Sequence, residues 1–296
     1  MSLHGAYPAD DQDEDYPRSK HGHPKDRRYD LKQIQTGLAV TGDGGIPLLS
    51  RVIDGEAAEI SQITGTMNAL RTMAGPKEFL LIADSKLVSY RNITTLIKAG
   101  CDFIAPAPAA TVDDAVYATL VRHDATIVDY TPARDENTPA ERRETYRVLE
   151  DTHVLSGPRK RDPQVEVRRI LVHSTGNAKG QQRARDKRLA KAREELDKLQ
   201  RGAGGRYYNT AEKIAARIGV IAKPRRVTGC LHTSITTDDT GRPTLDWHFD
   251  QDVLQAEAAV DGWYALLTTL TPRAGRRRRG TATPQGPAGH GRAPLR

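Results

Sequence analysis

The 296-residue chain has no apolar run approaching the roughly 20 residues that a helix needs to cross a bilayer. Its first residues, with Asp10, Asp11, Asp13, Glu14 and Asp15, lack both the basic start and the apolar stretch of a signal peptide. No membrane partner is expected, and the cytoplasm is the expected compartment. Cysteine is nearly missing. Cys101 and Cys230 stand far apart and form no CxxC pair, which argues against a disulfide framework or a zinc cluster. His173 and His232 have no metal-ligand spacing and read as structural. Excess charge is missing from most of the chain too. The net charge is +7, but residues 272–296 hold seven arginines and no acid, leaving 38 basic against 38 acidic residues in Met1–Thr271. A nucleic-acid reading must therefore rest on local patches.

The hydrophobic pattern divides the chain into elements. Residues 8–28 are polar, charged and proline-containing and read as a flexible loop. Asp30–Thr41 and Ile46–Ile53, joined by Gly42-Asp43-Gly44-Gly45, read as a β-hairpin. Glu56–Ala74 places Ala57, Ile60, Ile63, Met67, Leu70 and Met73 at helical spacing, and Gly75-Pro76 stops it. A strand at Phe79–Ala83, a helix at Tyr90–Ala99 and a strand at Cys101–Ala105 follow. Residues 111–165 are less regular, with a short helix expected around Ala140–Arg147 and a strand at Val165–His173. Gln181–Gln200 is a charged helix with Leu189, Ala192, Leu196 and Leu199 on one stripe, and Glu194 and Lys198 suit an i,i+4 ion pair. A second helix at Ala211–Ile218 makes a helical hairpin, and Leu231–Thr237 with Thr244–Phe249 makes a β-hairpin. A short helix at Val253–Val260 leads into a strand ending near Leu270.

The segment Leu80-Leu81-Ile82-Ala83-Asp84-Ser85-Lys86-Leu87 carries the clearest chemical signal. A strand-length apolar run delivers one carboxylate at its end, where the side chain escapes the core while the sheet fixes its backbone. Upstream stand Gly22-His23-Pro24-Lys25-Asp26-Arg27-Arg28-Tyr29-Asp30-Leu31-Lys32-Gln33, then Gly37-Leu38-Ala39-Val40-Thr41, then Gly45-Ile46-Pro47-Leu48-Leu49-Ser50-Arg51-Val52-Ile53-Asp54-Gly55. This ordered set resembles the DDE transposases of bacterial insertion sequences, and within them the subgroup with a large insertion between the second and third catalytic acids. The resemblance runs from about Ser2 to Leu270.

The resemblance implies an α/β fold: an RNase H-like mixed sheet with flanking helices, interrupted by an α+β insertion domain. The core would span 1–110 and the insertion 111–260, with 261–270 returning to the core and 271–296 a disordered Arg/Gly/Pro/Ala tail. It implies metal-dependent phosphodiester cleavage and strand transfer. Two Mg²⁺ or Mn²⁺ ions about 3.5–4 Å apart would activate the nucleophile and stabilise the leaving oxygen. Asp84 matches the second acid and would be catalytic and metal-ligating. Asp84 should end a central strand, flanked by an N-terminal strand and by the strand containing Gly37–Thr41. Lys25, Arg27, Arg28, Lys32 and Lys86 would contact phosphates. The implied partner is double-stranded DNA, at terminal inverted repeats and target, with the intact enzyme a homodimer or synaptic complex on the nucleoid.

Two features depart from the family's pattern. Its first Asp would precede the residues from Ser2, and its third acid, a Glu with a nearby Tyr and Arg, does not follow Leu270. The expectation is a chain truncated at both ends, inactive alone, with its tail out of frame. Of the 25 residues from Pro272, 20 are Gly, Ala, Pro or Arg, too little apolar content for a core. A non-catalytic DNA-binding or interfering module and another RNase H-like nuclease are the alternatives. The helix cations Arg183, Arg185, Lys187, Arg188, Lys191 and Arg193 could lie on a DNA backbone or form a solvated face. Trp247 and Trp263 read as core residues.

Overall fold

The computed structural model describes residues 2–5, 16–22, 28–108, 111–120 and 125–271. The chain is a mixed α/β protein whose largest sheet has six strands, parallel and antiparallel, flanked by helices. This is the class expected from the sequence. The tail from Pro272 and the acidic cluster Asp10–Asp15 lie outside the described residues.

A three-stranded antiparallel sheet comes first: β1 (Ser2–Gly5), β2 (Lys32–Val40) and β3 (Pro47–Ile53), with β2 in the middle. Thr41 and Ile46 close the hairpin turn through mutual bonds, and Gly45 there adopts φ +64°, which a side chain resists. Gln33 is buried at the foot of β2, where its Nε2 donates to Gly55 O at 2.6 Å. Gln35 Nε2 donates to the same carbonyl at 2.9 Å. A Cβ on Gly55 would stand 1.9 Å from Gln33 O, so only glycine lets the turn after β3 approach β2. Alternation sends Arg51 toward Gly65 of α1 (Glu59–Ala74). The opposite face carries Leu3, Leu38, Val40 and Val52, all exposed.

After α1, Gly75 stops the helix at φ +60° by donating its N–H to Arg71 O. Then come β4 (Leu80–Ile82), a 3-10 turn at Ser85–Leu87, α2 (Tyr90–Lys98) and β5 (Asp102–Pro106). Ser89 caps α2 through Asn92 N–H, and Ile93 and Leu96 face inward at helical spacing. Met67, Leu87, Ile93, Leu96, Phe103 and Leu267 are buried in one cluster that joins α1, α2 and the sheet.

Beyond β5 lie α3 (Asp114–Leu120), β6 (Thr126–Val128), β7 (Tyr146–Leu155) and β8 (Val165–Ser174). The six-stranded order is β4-β5-β11-β8-β7-β6, with β11 (Trp263–Thr268) between β5 and β8. Only the β4–β5 pair is parallel by direct bonding. Between β8 and β11 the chain builds a lobe with its own core. It comprises α4 (Thr175–Gly202), α5 (Ala211–Arg225), the hairpin of β9 (Leu231–Thr237) and β10 (Pro243–Phe249), and α6 (Gln251–Ala259). Ala192, Leu196 and Leu199 of α4 pack there with Ile214, Ile221, Leu245 and Phe249.

Three expectations need correction. The helix expected over Ala140–Arg147 is only a 3-10 turn at Ala140–Arg142. Glu144 turns back to bind Arg134 and Tyr146, and the chain enters β7. Glu194 and Lys198 form no ion pair; instead Glu195, one residue on, holds Arg225 of α5 at 2.7 Å. Asp84 does not end a central strand. Among the described residues β4 is the edge of its sheet and bonds only β5, because β1 pairs with β2 and completes the smaller sheet without it.

Candidate functional site

Asp84 stands just past β4. Ala83 N–H donates to Ile104 O at 3.2 Å, so the β4–β5 ladder fixes the backbone up to the residue before it. Leu87, fully buried three residues later, anchors the other side. The side chain between these anchors is exposed, and its Oδ1 accepts the backbone N–H of Lys86 at 2.9 Å. The carboxylate therefore caps the 3-10 turn at Ser85–Leu87 with one oxygen and leaves the other to solvent. The sequence signal of a strand-end acid corresponds to a rigid, outward-facing carboxylate.

A two-ion centre needs more than this. Among the described residues no three His, Cys, Asp or Glu side chains are grouped closely enough to hold a metal ion. Asp102, the other acid of the β4–β5 unit, pairs with Leu80 at the opposite end of the parallel ladder and accepts from Thr269 Oγ1 at 2.8 Å. The described residues do not fit a two-metal site.

None of the described cations expected around Asp84 forms an ion pair with it. Lys25 and Arg27 lie outside the described residues. Arg28 binds Asp30 through two bonds of 2.9 and 2.8 Å, holding that carboxyl down at about 2 although both side chains face water. Lys32 begins β2 opposite Gly5, in the smaller sheet. Lys86 is half-buried, and its backbone rather than its ammonium meets Asp84.

The helix cations separate into two sets. Arg185 makes a bidentate pair with Asp261 at 2.9 and 2.6 Å, and Arg188 binds Glu257. These two turn inward, whereas Arg183, Lys187, Lys191 and Arg193 are exposed. Lys179 joins the exposed set and was missed because the helix begins at Thr175, six residues before the expected start at Gln181. The readable signal was Ser174, whose Oγ accepts Asn177 N–H as a cap.

The remaining polar clusters bond within the fold, some buried and some at the surface. Tyr146 donates to Glu144 at 2.6 Å, and burial together with that carboxylate pushes its phenol well above the usual range. Arg134 closes the same group from outside at 2.7 Å. His173 packs edge-on against Trp263, and His232 bonds Asp250 at 3.1 Å and stacks on His248. Trp247 lies half-buried against Phe249 in the core of the lobe. No helix among the described residues is long and apolar enough to cross a membrane. A scan of the chain against protein-family models found no match, and a comparison with curated proteins found none.

Proposed function

We propose that this chain is a DDE-transposase relative that acts on DNA at insertion-sequence ends and does not cut it alone. The observation that carries the reading is Asp84, an exposed carboxylate held between a parallel strand ladder and a buried leucine. That position suits an acid required to meet a phosphodiester without moving. The ordered motifs upstream and the hairpin–helix–strand–helix–strand succession around Asp84 support the family reading. One carboxylate cannot hold two divalent ions, so cleavage is not assigned to this chain by itself.

That Asp84 stands without a second metal-ligating acid among the described residues favours a second reading as well: a non-catalytic module that binds the same DNA and competes with an intact enzyme, on the nucleoid. Three measurements test these proposals. The DNA flanking the gene should carry terminal inverted repeats, and the purified chain should bind duplexes of those ends more tightly than random duplexes. With Mg²⁺ or Mn²⁺ added it should leave both uncut. Equal binding to end and random duplexes overturns the transposase reading. Repeated Mg²⁺-dependent nicking that disappears in Asp84→Ala overturns the non-cutting part.

A further inference from the structure

The solvent face of α4 carries a row of cations that the fold leaves unneutralised. Lys179, Arg183, Lys187 and Lys191 recur every four residues, all are exposed, and none forms an ion pair with a described residue. Successive members are about 6 Å apart along the axis and advance about 40° around it, so the row spans about 18 Å on one side of the helix. Asp186 is the only acid between Lys179 and Lys191. The inward cations of the same stretch are matched one for one, Arg185 by Asp261 and Arg188 by Glu257. Gln181 Oε1 adds a bond from Gly262 N–H at 2.6 Å. The first half of the helix is thus clamped to the entry of β11 on one side while its other side stays cationic.

Strand direction places this row relative to Asp84. β4 and β5 are parallel, β11 is antiparallel to β5, and β8 is antiparallel to β11. β8 therefore runs the same way as β4, and its C-terminal end, where α4 begins, lies at the Asp84 end of the sheet. Three strand spacings separate β4 from β8, about 14 Å. Through Ile104 and Thr268, Ile82 stands level with Arg168, so α4 begins on the Asp84 side of the sheet and about 16 Å further along the strand direction.

We infer that the Lys179–Lys191 face of α4 is a track for the phosphate backbone of duplex DNA whose path passes the Asp84 end of the sheet. Charge complementarity selects the occupant. Duplex DNA presents one negative charge per about 1.7 Å of axis, dense enough to engage every cation of such a row. An acidic protein surface would have to match the same 6 Å periodicity with side chains. The inference rests on the DNA-binding reading above and adds the surface that contacts the backbone.

The test is a salt titration of duplex binding with the full chain and with Lys179→Ala, Arg183→Ala, Lys187→Ala and Lys191→Ala combined. Alanine preserves helix propensity, and circular dichroism checks the fold. If all four cations contact phosphates, the slope of log K against log salt becomes shallower by about 3.6, at about 0.9 per contact. Raising salt from 50 to 200 mM should then cost the natural chain about 150-fold more affinity than the variant. The pair Arg183→Ala with Lys187→Ala should give about half the slope change, and it serves should the quadruple variant not fold. The seven arginines of 272–296 are common to all forms and cancel in the comparison. The control removes Arg159, Lys160 and Arg161, exposed at the opposite end of β8. An unchanged slope in the α4 variants, or an equal change per charge in the control, overturns the track. A changed slope on random duplexes without preference for element ends keeps the track and removes the transposition reading.

Discussion

The Arg185–Asp261 pair should be worth about 2 kcal/mol to the fold, and a double-mutant cycle measures it. The two side chains are 12% and 15% exposed and meet through two bonds in fork geometry. Exposed ion pairs contribute about 0.2–1 kcal/mol, whereas removing one partner of a fully buried pair costs about 3–5 kcal/mol by stranding the other charge. This pair lies nearer the buried limit, but residual water access discounts it. Arg185→Met keeps most of the aliphatic stem and strands the carboxylate; Asp261→Asn keeps the shape and strands the guanidinium. Each should cost about 2 kcal/mol in urea denaturation, or about 4–8 °C in Tm for a body of this size. The double variant should cost less than the sum, with a coupling of about 1–2 kcal/mol. Single variants that each lose under about 0.5 kcal/mol and add without coupling would show an ordinary surface bridge. The clamp that orients α4 would then rest on apolar packing alone.

Leu196→Ala should be costlier, about 3–4 kcal/mol, because its fully buried side chain sits between α5 and the β9–β10 hairpin. Urea midpoints check this, and a loss below about 1 kcal/mol would mean that the lobe collapses to fill the gap. Asp84→Ala should cost about 1 kcal/mol through loss of the cap on Lys86 N–H, whereas Asp84→Asn keeps an acceptor and should be near neutral. Equal losses in thermal melts of the two would show that the negative charge, not the cap, stabilises the turn. Burial and the neighbouring Arg147 hold His173 below its usual 6.5, so the folded state binds its proton less readily than the unfolded chain. The stabilising contribution is then present above pH 6.5 and is lost as pH falls through that value toward the depressed folded pKa. Urea midpoints at pH 7.5 and 5.5 should differ less in His173→Gln than in the natural chain.

The hairpin, α1, β4, α2 and β5 were legible because each is a local pattern closed by a local stop, such as Gly75 or Gly100 at positive φ. The strand-end position of Asp84 was legible for the same reason. Its place at the sheet edge was not, since that depends on which strands pair across long separations. β7 was illegible for an electrostatic reason. Tyr146–Leu155 places Glu150 beside Asp151 in mid-strand, which reads as an exposed turn or helix. Their partners are Arg168 and Arg169 on β8; Arg169 lies directly opposite Asp151, and Arg168 reaches across to Glu150. Only the register turns those four charges into ladder contacts. Arg185 and Arg193 looked equivalent along the helix, and only Asp261, 76 residues after Arg185, distinguishes them.

The place of β11 also sets the order in which the molecule can be made. Thr268 Oγ1 donates to Phe103 O across 165 residues, and the same short strand bonds β8 on its other edge. A ribosome delivers β5, β8 and the whole lobe before the strand that joins them exists. Until then two long-range edges stay open and available to other chains. Pairing at such separation closes slowly, because the entropy of the loop is lost before any contact repays it. The lobe, with its local helical hairpin and its own apolar core, can form while the sheet waits. This topology favours assembly from the periphery to the centre, with β11 the strand that joins the Asp84 strand and the cationic helix into one sheet-linked body.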